Sequence, residues 1–271
     1  MRARITGVSV WGPGLEGWAA SRGILAGEEP YTACESPPPA PVMLSPNERR
    51  RAGVVTRLAL AVAGEALATS ALPGGNIRCV FGSATGDGAV IHAILESLAK
   101  GDPVSPTLFH NSVHNAAAGY WCIGTGSEQP ANCLGCHDST FAAALLKAMA
   151  EVQVEQVPVL LCVYDAPLPP PLDAKRRVAE LFGVGLVLSP GDSAVEAPMI
   201  SVVYEAKSAA GLDAPRQPGL QELSRTIPAA RALPLLESLA RGTRDAFAIA
   251  CLDGHLAIRI DPCSAAGKFS S

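Results

Sequence analysis

The residues of this chain whose types and spacing could do chemistry are Cys133, Cys136 and His137, which form the pattern Cys-x-x-Cys-His. This is the attachment pattern of c-type haem, in which His137 would be an axial ligand. Haem attachment normally follows export, however, and no signal peptide is recognisable at the N-terminus. A zinc site would need two more ligands, and no second pair has a suitable spacing. A dithiol redox pair is a weaker alternative to two thiols that are simply packed in the fold.

The elements on either side place Cys136 and His137 at a turn. Residues 129–133 are predicted to form a strand, and residues 139–154 a helix, because apolar residues recur in the second segment at helical spacing. The two candidate side chains therefore lie where a strand enters a buried helix.

The rest of the chain alternates strands with helices, which predicts a layered α/β sheet with antiparallel elements. Further strands are predicted at residues 5–11, 78–81, 157–164, 182–188 and 200–204, with a hairpin over 246–252 and 256–260. Further helices are predicted at residues 15–25, 45–70, 89–100, 115–122 and 233–241. The pattern weakens after residue 190, and the tail at 264–271 is expected to be frayed or disordered.

Two other segments could bind ligands but have simpler explanations. The glycine-rich loop at 82–88 lacks the Gly-Lys-Ser/Thr of a phosphate-binding loop, so it is interpreted as a turn between a strand and a helix. Three consecutive arginines, Arg49, Arg50 and Arg51, follow a helix start with a capping box at Ser45 and Glu48. They could contact an acidic partner, or they could form a solvated helix face.

Composition excludes several classes of protein. The 271 residues suffice for one large domain, and the net charge of −4 comes from scattered charges, which argues against a nucleic-acid surface. The apolar runs are far shorter than the roughly 20 residues of a membrane helix. We therefore expect a cytoplasmic protein with no membrane or nucleic-acid partner, whose eight cysteines are mostly buried thiols.

Three blocks carry a resemblance to a known family: SPTLFHNSVHNAAAG at 105–119, DSTFAAALLKA at 138–148 and GSATGD at 82–87. Together they resemble β-ketoacyl synthases of the thiolase-like fold, in particular short chain-length-factor-like proteins found beside fatty-acid-like, polyketide and aryl-polyene synthesis systems. The resemblance covers roughly residues 1–190. Residues 191–271 do not resemble the second half of the family.

The resemblance implies an acyl-accepting cysteine at the start of the buried helix, assisted by two histidines from the second half. The cysteine of the family lies four residues before the first large apolar residue of that helix, here Phe141, so its position falls on His137. Beyond this region the only histidine is His255, in the hairpin turn around Asp253 and Gly254, where neither family histidine motif is present. The resemblance therefore implies that no residue is catalytic. An insertion or bulge that brings Cys136 into the nucleophile position is the alternative.

The resemblance further implies a thiolase-like half fold: a mixed five-stranded sheet layered with helices over 1–190, and a small divergent C-terminal extension over 191–271 packed on the same core. Ketosynthases pair through the strand that enters the elbow, which is 129–133 here. A partner interface or acyl tunnel is therefore expected at Phe109, His110, Asn111, His114, Gln129, Ala131 and Cys133. The alternative is that the cluster in the 109–115 loop only fixes that loop.

The expected function is a non-catalytic, chain-length-factor-type subunit without a cofactor. It would pair as a heterodimer with an active ketosynthase that is served by an acyl carrier protein. The alternative is a reduced condensing enzyme or acyltransferase that uses Cys136 as its nucleophile.

Overall fold

The strands form a single mixed sheet in a computed structural model that describes residues 1–70, 72, 75–206 and 212–263. They are β1 (Arg2–Gly12), β2 (Leu15–Glu16), β3 (Arg78–Gly82), β4 (Ala131–Leu134), β5 (Val159–Asp165), β6 (Phe182–Pro190), β7 (Met199–Glu205), β8 (Asp245–Cys251) and β9 (Gly254–Asp261). Their order is β4-β3-β5-β6-β1-β7-β9-β8, with β2 paired to β1. β3 runs parallel to β4 and β5, and the other pairs are antiparallel.

Helices cover both faces of this sheet. They are α1 (Trp18–Ala26), α2 (Pro46–Arg51), α3 (Val54–Thr69), α4 (Gly88–Lys100), α5 (Pro106–Asn111), α6 (Ala116–Thr125), α7 (Thr140–Glu155), α8 (Pro218–Thr226) and α9 (Leu233–Arg241). The buried side chains of α3 and α6 form the core on one face, and those of α7, α8 and α9 form the core on the other. No helix among the described residues is long and apolar enough to cross a membrane.

The central strands are apolar along their whole length because both faces are covered. Every residue of β5 is buried, and in β6 only Pro190 is partly exposed. α3 lies so close to the sheet that a Cβ atom on Gly7 would be 2.0 Å from the carbonyl oxygen of Ala66, and one on Gly185 would be 2.4 Å from that of Val62. The missing side chains at these two glycines allow the helix to lie directly on the strands.

Among the described residues the sheet has nine strands, where the sequence predicted a five-stranded sheet with an appended extension. β7 pairs with β1 through Ala3 and Ile200, and β9 and β8 continue the sheet beyond it. Leu235 of α9 and Ile258 of β9 belong to the same buried cluster as Val184 of β6. The extension is therefore part of the sheet and its core, because its alternating apolar residues need a covered face. The predicted frayed tail at 264–271 lies outside the described residues.

The helix predicted over 45–70 is two helices. The Ser45 side chain accepts a hydrogen bond from the backbone of Glu48 at 3.3 Å, as the capping box predicted. The chain then becomes extended at Ala52 and Gly53, where α2 ends and α3 begins. α5 and α8 were not predicted, although each begins at a proline, which favours the first turn of a helix.

Candidate functional site

The sharp turn between β4 and α7 forms an elbow. A short 3-10 turn, His137–Ser139, leads into α7, and His137 has a φ of 51°. This left-handed conformation is uncommon for any residue with a side chain and is often found at functional sites. The Thr140 hydroxyl fixes the turn, since it accepts from the Cys136 backbone at 3.0 Å and donates to the His137 carbonyl at 2.7 Å. The geometry is that of a strand–turn–helix elbow with His137 at its strained position.

His137 faces solvent beside a group of fixed charges. Its side chain is 72% exposed, and its Nδ1 lies 3.5 Å from a carboxylate oxygen of Asp138. Asp138 accepts a hydrogen bond from Arg176 and lies 3.2 Å from the Arg231 guanidinium. Burial alone would raise the pKa of Asp138, but these two arginines and His137 outweigh it and lower the pKa. The carboxylate therefore stays ionised and tied to the arginines.

Cys136 is half-buried, and the β8–β9 hairpin contacts the elbow next to it. The Leu252 backbone, at the tip of that hairpin, donates a 2.8 Å hydrogen bond to the Ser139 hydroxyl at the start of α7. Burial, and secondarily the nearby Cys136 thiol, raise the pKa of Cys251. A histidine within hydrogen-bond reach activates a thiol nucleophile. In the described part of the chain, neither His114 nor His137 makes a hydrogen bond to Cys136.

The two cysteines of the Cys-x-x-Cys-His pattern have different surroundings. Burial, followed by the neighbouring Cys122 thiol, raises the pKa of Cys133 to about 11. Cys136 instead lies near Cys251. The described residues contain no group of three or more side chains placed to hold a metal ion.

His114 joins the elbow to the glycine-rich loop at 82–88. Its Nε2 lies 3.0 Å from the Ser83 carbonyl oxygen. A Cβ atom on Gly135 would lie 2.8 Å from that same oxygen and 3.2 Å from the His114 ring. The histidine, the loop and the elbow are therefore in direct contact, and only glycine fits at 135.

Asp165 holds three segments together from the end of β5. Its carboxylate accepts from the Ala84 backbone at 2.7 Å, from the Ala229 backbone at 2.8 Å and from the Ser83 hydroxyl at 3.3 Å. Burial raises the pKa of Asp165 to about 7, although the three hydrogen bonds and Arg176 oppose the rise. Asp165 is not among the residues that the sequence motifs single out; the available signal is an acid at the end of a fully buried strand.

The predicted interface strand lies at an edge of the sheet. β4 pairs only with β3 among the described strands, so its other side has no partner strand. Ala131 is exposed, while Gln129 and Cys133 are half-buried. An open edge offers unpaired backbone groups to another chain.

α4 and α5 also expose apolar side chains. Ile91, Leu95 and Leu98 of α4 lie on one face of the helix at spacings of four and three residues, and they are 38%, 50% and 59% exposed. Phe109 of α5 is 68% exposed, and Val113, just after it, is 48% exposed. We call these five side chains the α4–α5 face, and α4 and α5 pack against each other.

The remaining residues of the predicted 109–115 cluster stabilise local structure. Asn111 is buried, donates to the Arg51 carbonyl at 2.9 Å and accepts from the Tyr120 hydroxyl at 3.1 Å. The His110 ring meets Tyr120 edge to face at 5.9 Å. The cluster therefore divides: Phe109 points outward, whereas His110, Asn111 and His114 fix their segment.

The other candidates from the sequence have partners outside the 137–139 turn. His255 is buried in β9, with its Nε2 3.4 Å from Glu205. Arg49 donates to the Leu44 carbonyl at 3.0 Å, Arg50 to the Asn47 side chain, and Arg51 lies 3.6 Å from Glu48. The three arginines thus have local partners within their own helix region.

Comparison with known proteins identifies the family. The profile described as "Beta-ketoacyl synthase, N-terminal domain" matches residues 26–239, and the chain belongs to this family. The match crosses residue 190, where the sequence resemblance was expected to end. No curated protein matches the chain significantly.

Similar solved structures include ketosynthase–chain length factor assemblies. One is the ketosynthase ApeO in complex with its chain length factor ApeC from Xenorhabdus doucetiae, with 19% identity, a TM-score of 0.72, and coverage of 96% of this chain and 99% of that chain. The ishigamide ketosynthase/chain length factor shares 17% identity with a TM-score of 0.67, over 97% of this chain and 99% of that chain. AntDE:AntF, a type II polyketide ketosynthase with its acyl-carrier protein, shares 12% identity with a TM-score of 0.69, over 97% and 99%. These similarities show that the fold is ketosynthase-like.

Proposed function

We propose that this chain is a non-catalytic, chain-length-factor-type subunit that pairs with an active β-ketoacyl synthase. The observation that carries the proposal is the histidine at the strained position of the elbow. Acyl transfer by a ketosynthase needs a thiolate there, and an imidazole cannot take over its role as the stable thioester-forming group. The assignment of His137 to the family's nucleophile position is itself part of this proposal.

The surroundings of Cys136 favour the non-catalytic role over a reduced condensing enzyme. Cys136 precedes the strained residue, and the buried Cys251 thiol lies near it. The positive end of the α7 dipole favours a thiolate in its vicinity, which is the feature that keeps the enzyme alternative worth testing.

The open β4 edge and the α4–α5 face support pairing. Apolar side chains exposed along one helix face usually contact a partner. An edge strand adds main-chain hydrogen bonds and thereby a fixed register. The structural neighbours named above include ketosynthases in complex with chain length factors, and one of them contains an acyl-carrier protein. An active ketosynthase is therefore the proposed partner, and a carrier protein would deliver acyl groups to that ketosynthase.

Co-expression with the ketosynthase encoded nearest to this chain tests the proposal. We expect a heterodimer in size-exclusion chromatography with light scattering, and carrier-bound products whose amount or length changes when this chain is omitted. A chain that stays monomeric, together with condensation that is the same without it, would refute the proposal.

Acyl loading separates the two functions. The purified chain is incubated with acyl-loaded carrier protein and examined by intact-mass and peptide mass spectrometry. We expect no thioester on any cysteine. An acyl group on Cys136 that is absent from a Cys136→Ser variant would instead establish the enzyme alternative.

A further inference from the structure

β8 is the second edge strand of the sheet, at the end opposite β4. Its residues 246–251 have the sequence AFAIAC, a run without a charge, a proline or a glycine. Such a run at a sheet edge pairs readily with a strand of another chain, because its outward backbone groups lack a partner strand and its side chains suit a sheet. The way in which the chain covers this edge therefore matters for its assembly.

Asp213 covers the centre of the β8 edge. Its carboxylate accepts a 2.7 Å hydrogen bond from the Ala248 N–H, and its own backbone N–H donates to the Ala248 carbonyl at 2.9 Å. Both backbone groups of Ala248 therefore face away from β9, which pairs with the other side of β8. Asp213 thus occupies the two hydrogen-bonding positions that an added strand would use at this residue.

Side chains also occupy the two ends of the β8 edge. At one end, the Ala246 N–H donates to the Asp245 carboxylate at 3.0 Å, and Arg241 holds this carboxylate in place. At the other end, just past the strand, the Leu252 N–H donates to the Ser139 hydroxyl at 2.8 Å. With both ends occupied in this way, the contact that keeps the centre of the edge closed is the one made by residue 213.

We propose that Asp213 prevents β8 from pairing with the β8 strand of a second copy of this chain. A second copy is the fitting partner, because antiparallel pairing of two β8 edges is isologous and joins the same uncharged run from both chains. The bonds made by Asp213 must break before such a pair can form. This pairing does not involve β4, so it is separate from the heterodimer of the proposed function and is tested without the ketosynthase.

Sedimentation velocity on the purified full-length chain, over a range of concentrations, tests the proposal. Asp213→Ala removes the carboxylate and should tighten self-association about 3-fold to 10-fold relative to the parent chain, the range for one exposed hydrogen bond. Asp213→Pro also removes the N–H and should tighten it about 10-fold to 100-fold. Asp192→Ala, in the loop between β6 and β7, removes the same charge and should associate like the parent. Parent-like association of both Asp213 variants would overturn the proposal.

A second substitution locates the new contact. Ala248→Pro removes the outward N–H of β8 and places a ring at the edge, while the hydrogen bonds to β9 are kept. The double variant Asp213→Pro, Ala248→Pro should therefore associate like the parent, and tight association in this variant would place the contact elsewhere and contradict the proposal.

Deuterium exchange gives a readout that does not depend on association. In dilute Asp213→Ala, a peptide that covers residues 245–251 should exchange faster than in the parent chain, because the Ala248 N–H has lost its acceptor. Thermal melts confirm that each variant is folded. Unchanged exchange of this peptide would show that Asp213 does not close the edge.

Discussion

Replacing Ala131 by proline tests whether the β4 edge is the pairing surface. The Pro130 and Leu134 carbonyls accept hydrogen bonds from Cys79 and Ser83, so these two residues direct their backbone groups towards β3. Because direction alternates along a strand, Ala131 directs its N–H and C=O away from the sheet. Ala131→Pro therefore removes an outward donor and places a ring at the edge, while every hydrogen bond to β3 is kept.

The expected loss of heterodimer affinity follows from the free-energy cost of burying a hydrogen-bond acceptor without a donor. A partner strand paired at this edge would have a carbonyl opposite Ala131, and leaving it buried without a donor costs about 1–3 kcal/mol. The dissociation constant of the heterodimer should therefore rise between about 5-fold and 150-fold. The stability of the isolated chain should change little, because residue 131 is exposed.

Sedimentation velocity or surface plasmon resonance with the active ketosynthase measures the dissociation constant. Ala131→Val is the matched control, because it keeps the N–H and suits a strand, and it should pair like the parent chain. If Ala131→Pro pairs as tightly as Ala131→Val while both remain folded, β4 is not the pairing edge and the reasoning fails.

Three further predictions concern the α4–α5 face, Asp165 and His137. Leu95→Lys should weaken pairing, because it puts a charge at the centre of the α4–α5 face, while Val195→Lys, on the loop between β6 and β7, should not. Equal heterodimer affinities for the two variants would exclude the face from the interface. Burial raises the pKa of Asp165 from 3.8 to about 7, so the folded state keeps a proton that the unfolded state has released, and stability should fall as pH rises through this window. Urea unfolding at several pH values should show a slope of up to about 1.4 kcal/mol per pH unit; Asp165→Asn should lack it, and a parent stability that rises with pH would contradict the assignment. His137→Gly should stabilise the isolated chain by about 0.5–1 kcal/mol, because glycine relieves the left-handed strain but loses more entropy on folding; a loss of stability in urea unfolding would show that the ring makes compensating contacts.

The site combined residues that the sequence singled out with residues that it did not. His114, Cys136 and His137 were chosen from motifs, and the structure brings His114 against Gly135, next to them. Asp138 pairs with Arg176 and with Arg231, both of which lie far from it along the chain. Sequence spacing carries no information about such contacts.

Local sequence patterns determined many of the individual strands, helices and caps. The apolar runs of β5 and β6, the periodic face of α7 and the capping box at Ser45 depend on neighbours within a few residues, so the sequence alone predicts them. The blocks at 105–119 and 138–148 are contiguous in sequence, so their resemblance to the family can be recognised without the structure. The family profile confirms this resemblance.

Tertiary structure alone decided three features. It placed β4 at the edge and joined β7, β9 and β8 to the sheet through β1, so that the described part of the chain has nine strands where five were predicted. It gathered three separate segments, the loop before α4, the elbow and the link between β5 and β6, around one pocket. These outcomes depend on which distant segments bury each other, a global balance of packing that no local periodicity encodes.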